Sequence, residues 1–247
     1  MANARPLAGF TIAVTRAADQ AGPLVARLRG LGADVSEVPL IAIADPIDGG
    51  EALRRAVANL PAYTWVVLTS PNAARRFLDA APESASGPWP KVAAVGPGTA
   101  LVLAERGRVV DLVPKRAIGE GLVDAFPHGS GRVLFPRAEV ARAVVSEGLA
   151  AKGWVVDVVD AYRTVPAVAT ADHVQALLSA DLVVLTSSST ATVTASTLAG
   201  TAPRRIVSMG IATTVTATNL GLSVAVTAEP STIDGLLDAC VVALRRT

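Results

Sequence analysis

At 247 residues, with 51% hydrophobic content and 22 basic against 21 acidic residues for a net charge of +1, the chain can bury one large core or two modest ones. The even balance, free of long charge runs, excludes an electrostatic footprint for nucleic acid, and 4% aromatic content leaves few platforms for stacking bases. Its apolar runs are only of strand length, far short of the ~20 residues of a membrane span, and its single cysteine, Cys240, excludes an intramolecular disulfide.

The opening, MANARPLAGFTIAVTR, has no signal-peptide core, so the expected compartment is the cytoplasm. A strand is predicted over Phe10–Arg16, then a helix from about Asp19 ended by Gly32, then an extended run through ADVSEVPLIAI past Pro39. This opening predicts a parallel sheet with right-handed crossovers. A helix follows at Glu51–Leu60, a strand at Trp65–Thr69, a helix at Ser70–Ala80 and a Pro/Gly/Ser-rich loop at Ala81–Pro90. Next come a strand at Val92–Val95, a helix at Thr99–Arg106, a strand at Val109–Val113 and a helix at Gly119–Phe126. The pattern restarts with a strand at Val133–Phe135, a helix at Val140–Lys152, a strand at Trp154–Val159 and the extended, Pro-containing DAYRTVPA of Asp160–Ala167. The closing elements are helices at Asp172–Leu178, Thr190–Leu198, Thr213–Asn219 and Ile233–Arg245 with strands at Leu182–Leu185, Ile206–Met209 and Val224–Thr227.

The chain repeats itself. WVVLTSPNA (Trp65–Ala73) returns as LVVLTSSSTA (Leu182–Ala191), with Ser70 and Ser187 lying 117 apart. Gly96, Thr99 and Gly107 return as Gly210, Thr213 and Gly221 at an offset of 114, and Arg16 and Gly32 return as Arg137 and Gly153 at an offset of 121. Two copies of one α/β unit of roughly 115 to 120 residues are implied, each within the usual domain range. The expected architecture is two similar lobes, each a parallel β-sheet flanked by helices, joined by a two-stranded linker. Lobe 1 is assembled from residues 1–37 and 168–247, lobe 2 is residues 42–160, and the linker strands are 38–41 and 161–167.

Familiar catalytic motifs are missing. His128 and His173 have no Cys or carboxylate spacing that would make a metal site, Gly96-Pro97-Gly98 lacks the third glycine of a dinucleotide fingerprint, and no Walker A or G-x-S-x-G sequence occurs. What recurs is small hydroxyls and glycines at strand-to-helix turns: Thr69, Ser70, Gly96 and Thr99 in one copy, and Thr186, Ser187, Gly210 and Thr213 in the other. In a parallel sheet such turns lie at the carboxyl edge, where helix N-termini offer amides to anions. If the lobes face each other, these turns line one cleft. The same hydroxyls would also serve simply as N-caps. The copies differ at Ser188-Ser189 against Pro71-Asn72 and at Thr214 against Ala100, which predicts that the lobes contact different acid groups.

VTR near the N-terminus, VLTSPNA, VGPGTA, LFPR, AYRT, VLTSSSTA and MGIATT…TAEPSTIDGLL together resemble the uroporphyrinogen-III synthase family, in order and spacing, over essentially the full chain. The resemblance implies two α/β lobes on a two-stranded linker. It also implies cyclisation of the linear tetrapyrrole hydroxymethylbilane to uroporphyrinogen III, with loss of water and inversion of the last pyrrole ring, and neither cofactor nor metal. The hydroxymethyl group leaves an electron-rich pyrrole, and the resulting azafulvene is attacked by a pyrrole carbon through a spiro intermediate, so positioning and fixed dipoles can supply the catalysis. The family pattern carries over to Tyr162 in AYRT as proton donor to the leaving hydroxyl, and to Thr99 and Thr213 at the matching turns; packing of the linker is the alternative role for Tyr162. Substrate carboxylates are expected to meet Arg16, Arg137, the turn residues named above, Ser188 and Thr214. The resemblance further implies a monomer. A non-catalytic two-lobed binder of a small anion is the rival reading, and a regulator would need a DNA-binding module not read in the chain.

Overall fold

The computed structural model describes residues 5–81 and 89–245, so most of the loop expected at Ala81–Pro90, namely 82–88, lies outside the described residues. The elements run β1 (Thr11–Val14), α1 (Ala18–Gly30), β2 (Asp34–Glu37), β3 (Ile41–Ala44), α2 (Glu51–Ala58), β4 (Trp65–Leu68), α3 (Pro71–Ala80), β5 (Lys91–Ala94), α4 (Pro97–Glu105) and α5 (Gly119–Ala125). They continue with β6 (Arg132–Ala138), α6 (Val144–Ala151), β7 (Val155–Pro166), α7 (Ala171–Ser179), β8 (Leu182–Leu185), α8 (Ser188–Leu198), β9 (Ile206–Ser208), α9 (Ile211–Asn219), β10 (Val226–Thr227) and α10 (Ile233–Arg245). Two compact units result, one from Met1–Ala42 with Val165–Thr247 and the other from Ile43–Thr164. The boundaries fall inside β3 and β7, which are neighbours in one sheet.

The first unit holds a five-stranded sheet in the order β10-β9-β8-β1-β2, with every neighbouring pair parallel. The sheet of the second runs β3-β7-β6-β4-β5, and its pairs β7-β6, β6-β4 and β4-β5 are parallel. Under the sequence offsets β9, β8, β1 and β2 correspond to β5, β4, β6 and β7, so the two sheets repeat one strand order. The central strands β4 (WVVL) and β8 (LVVL) bury all four residues, as a parallel strand covered on both faces must. Their side chains alternate between two cores. Leu182 and Val184 meet α1 and α10, whereas Val183 and Leu185 meet the helices α7, α8 and α9. In the second unit Val66 and Leu68 pack with α2, α3 and α4, while Trp65 and Val67 pack with α5 and α6. Cys240 is fully buried in the first of these cores, and burial pushes its thiol up to about 12, which leaves it an inert small hydrophobe.

Three local expectations change. The strand expected at Val109–Val113 is reduced to a single bridge between Ala93 and Leu112. Asp111 is the reason: its carboxylate accepts the Val92 amide at 2.8 Å while its own amide donates to the Val92 carbonyl, so a side chain takes up a bond that a backbone ladder would use. The helix expected from Val140 begins only at Val144, because β6 stays paired with β7 through Ala138 and the Glu139 amide still donates to the Tyr162 carbonyl. Finally, the strand at Trp154–Val159 and the extended Asp160–Ala167 are one twelve-residue strand, β7.

The discontinuous first unit is joined where β1 meets β8. The Thr11 amide and hydroxyl both donate to Asp181 at 2.9 Å, across 170 residues of sequence, and Arg204 contacts the other carboxylate oxygen at 3.1 Å. The Thr11 amide foremost, with help from its hydroxyl and from Arg204, holds the Asp181 carboxyl below its ordinary value of 3.8. A depressed folded-state value stabilises the protein above that pH and is lost as pH falls through the folded value. Asp181→Asn is therefore expected to cost about 1 kcal/mol at neutral pH, with the gap to the parent closing as the pH drops below about 4. Urea unfolding at the two pH values checks this.

Candidate functional site

In the second unit the carboxyl end of β4 gives Thr69 and then Ser70, whose extended backbone and Oγ accepting the Ala73 amide at 3.0 Å make it the N-cap of α3. Pro71 fills the first helical position, where it removes an amide that would have no acceptor within the helix. The Ser70 hydroxyl also lies 3.0 Å from the phenol oxygen of Tyr162, and the Asn72 side chain hydrogen-bonds the same phenol. Tyr162 is only 7% exposed. Burial raises its phenol above the ordinary value of 10.0, and the Ser70 and Asn72 contacts oppose that rise.

Tyr162 reaches this position through a register defect. Arg137 pairs with Asp160 but Ala138 pairs with Tyr162, so β7 carries one extra residue opposite the Arg137/Ala138 step. Successive strand residues normally face opposite ways. Here both Ala161 and Tyr162 enter the core that holds Phe77 of α3.

The next turn of this unit, after β5, carries Gly96 as the N-cap of α4 and Thr99 buried as its third residue. Gly96 is extended, so no unusual dihedral calls for glycine; a Cβ there would come within 2.7 Å of the Ala117 side chain. Gly210, the N-cap of α9, has the equivalent neighbour: its Cβ would stand 2.5 Å from the Ser231 hydroxyl. Both glycines are thus accounted for by the approach of the same following segment. Arg16 directly follows Thr15 beyond the end of β1 and is partly buried. Arg137 lies in β6, where its guanidinium donates to the Ala141 carbonyl at 3.3 Å and has no carboxylate within 4.0 Å among the described residues.

The first unit builds the equivalent turns differently. Ser187 caps α8 in a reciprocal arrangement: its Oγ accepts the Thr190 amide at 3.2 Å, and the buried Thr190 hydroxyl accepts the amides of Thr186 and Ser187 at 3.1 and 3.0 Å. Those two amides are therefore occupied, and the outward donors are the amides of Ser188 and Ser189, the first two of the helix, which have no intrahelical acceptor. The Ser188 hydroxyl donates to the Ala212 carbonyl at 3.2 Å and accepts from Thr216 at 2.9 Å, tying α8 to α9. Thr213 is buried, and Thr214 stands between Ser208 at 2.5 Å and Thr227 at 2.7 Å, joining α9 to β9 and β10.

Of the residues read from the sequence, then, the structure brings Ser70 against Tyr162 and gives Ser187, Ser188 and Thr214 partners within their own unit. Sequence reasoning missed Asn72, Thr190 and the Ser208-Thr214-Thr227 cluster. The cluster had a signal, because the same repeat offset of 114 puts Ala94, Ala100 and Val113 at those places in the other copy.

A family model described as uroporphyrinogen-III synthase HemD matches residues 22–238. The uroporphyrinogen-III synthase of Synechococcus elongatus is 36% identical over 251 residues, covering 94% of this chain and 95% of that protein. Among solved structures, a mutant uroporphyrinogen III synthase from the extremely thermophilic bacterium Thermus thermophilus matches with a TM-score of 0.67 at 16% identity, over 97% of this chain and 100% of that one. The Helicobacter pylori enzyme matches with a TM-score of 0.59 at 15% identity, over 94% and 99%. At such identities the structural likeness speaks for the fold, and the Synechococcus relative carries the family.

Thr214→Val strands the buried Ser208 hydroxyl and is expected to lower unfolding free energy by about 1–2 kcal/mol. Chemical denaturation measures it. Unchanged stability combined with impaired turnover would instead make Thr214 a substrate contact.

Proposed function

The chain belongs to the uroporphyrinogen-III synthase family, and from that premise we propose how its residues carry out the family's reaction. The enzyme cyclises hydroxymethylbilane to uroporphyrinogen III. The terminal C–O bond breaks with departure of water, the pyrrole nitrogen lone pair delocalises the resulting cation, and the already substituted α-carbon of the last ring attacks it to give the spiro intermediate; the older bond from that carbon to its methylene then breaks and re-forms at the ring's free α-carbon, which loses its proton, so that this ring ends inverted. The observation that carries the assignment is the match to a synthase along almost the whole of both chains.

Tyr162 donates the proton that lets the hydroxyl leave as water. The phenol, beside Ser70 at the start of α3, keeps its proton throughout the neutral range and so meets the substrate in its acid form. The polyacid substrate is held by single donors, because a protein of net charge +1 has no broad positive field to offer. Arg16 and Arg137 take carboxylates, as do the turns built from Thr69, Ser70, Gly96 and Thr99 in one unit and Thr186, Ser187, Ser188, Gly210, Thr213 and Thr214 in the other. Within these turns the buried threonines hold shape, and the outward amides do the binding: Asn72 and Gly98 in one unit, Ser188 and Ser189 in the other. In this reading the enzyme acts as a cytoplasmic monomer, without cofactor, metal, nucleic acid or membrane.

Hydroxymethylbilane generated in situ should give oxidised product dominated by the type III isomer. The spontaneous type I isomer alone would overturn the assignment. Tyr162→Phe should slow type III formation by about ten- to a hundredfold while leaving the fold intact. An unchanged rate in that variant would remove Tyr162 from the chemistry without touching the family's reaction.

A further inference from the structure

Near the end of β6, Arg137 stands beside a carboxylate that it does not bond. Its register partner on β7 is Asp160, and register partners on neighbouring strands stand about 4.8 Å apart with their side chains on the same face. Both residues are partly buried. An arginine and a carboxylate so placed should pair, because a charge-assisted hydrogen bond is about twice as strong as one between neutral groups. Instead the guanidinium donates to the Ala141 carbonyl at 3.3 Å, and neither side chain enters an ion pair among the described residues. The Arg137 Nε is shielded from solvent and has no hydrogen-bond partner among them, so it is a buried donor without an acceptor.

Ala141 belongs to the segment between β6 and α6, and that segment is anchored from outside. Both terminal nitrogens of Arg142 donate to the Glu120 carboxylate in the first turn of α5, one of them at 3.2 Å. The Ser146 hydroxyl donates to the Ala143 carbonyl at 2.9 Å, and a Cβ on Gly119 would stand 3.0 Å from the Val144 side chain, so the starts of α5 and α6 fix the far end of the segment. The other unit has neither feature. At the repeat offset of 121 Pro39 stands where Asp160 does, and α1 begins at Ala18, almost directly after Arg16. The competing carboxylate and the longer connection thus occur together, in one copy.

We propose that residues 139–143 are a positioning strap: anchored through Arg142 on Glu120, they hold Arg137 on the Ala141 carbonyl and away from Asp160, so that the guanidinium is kept for a carboxylate of the tetrapyrrole. A substrate carboxylate then displaces only a neutral carbonyl, where without the strap it must displace Asp160. This rests on the reading above that Arg137 takes a substrate carboxylate. Arg142 and Glu120 act through Arg137 and touch no substrate.

Arg142→Ala frees the segment and removes one exposed ion pair, so the fold is expected to survive. KM for hydroxymethylbilane should rise by about tenfold with kcat little changed, as when a contact common to ground and transition states is weakened. Glu120→Ala should do the same. If Arg142 touched substrate itself, Glu120→Ala would release it and leave KM unchanged or lower. Adding Asp160→Asn to either variant should return KM to within about twofold of the parent, and Asp160→Asn alone should leave it unchanged. A ligand-free crystal structure of Arg142→Ala gives a readout independent of turnover, in which Arg137 should lie within about 4 Å of Asp160. A guanidinium still on Ala141 in that structure, an unchanged KM in Arg142→Ala, or a raised KM that Asp160→Asn fails to restore overturns the proposal. Arg137→Ala tests the underlying reading separately: a KM unmoved there removes Arg137 from substrate binding, whatever the crystal structure shows of the strap.

Discussion

A sheet whose strands run one way delivers every strand-to-helix turn to a single edge, and the chemistry of this protein depends on that constraint. Each unit satisfies it with four parallel strands in the same order, although the first assembles its sheet from opposite ends of the chain by pairing β1 with β8. Along the carboxyl edges stand helix starts with amides that the helix cannot use, capped by serines whose hydroxyls are in the right place to hold neighbours. An enzyme whose substrate already contains its electrophile and its nucleophile asks for little more: donors fixed before the reaction begins, and one proton delivered in the right direction.

The two copies have parted company in how they hold these edges. In the second unit both edge helices begin with proline, at Pro71 and Pro97, so each keeps a single outward amide, and the capping serine is shared with the buried phenol of Tyr162. The helices of the first unit begin with Ser188 and Ile211, keep one more amide each, and are tied together through the hydroxyls of Ser188 and Thr216. Where the first unit has Ser208, Thr214 and Thr227 bonded in a row, the second has Ala94, Ala100 and Val113. The counterpart of β10 is likewise reduced there to one bridge, with the Asp111 carboxylate taking the Val92 amide. One copy is the richer in outward amides, and the other holds the buried phenol proposed as the acid.

Much of this was legible in the sequence because it is local. Four-residue apolar runs before Thr-Ser mark central parallel strands, Ser70 and Ser187 announce themselves as caps, and the constant offsets carry one strand order from copy to copy. What stayed hidden depends on partners far away in the chain. The extra residue opposite Arg137 and Ala138 puts Ala161 and Tyr162 on one face, against the alternation that a reader of the sequence must assume. The carboxylate of Asp111 competes with a backbone ladder, and the pairing of Glu139 with Tyr162 delays α6. Asn72 reads as an ordinary first-turn residue until Tyr162 is placed beside it.

The central claim, that substrate is held at the carboxyl edges by backbone amides, is tested most directly by backbone amide chemical shifts recorded anaerobically while uroporphyrinogen III is added. The largest shifts should fall on Asn72, Gly98, Ser188, Ser189, Ile211 and Ala212. Shifts confined to the opposite edges, around Thr11, Asp34, Arg132 and Asp181, would contradict the account.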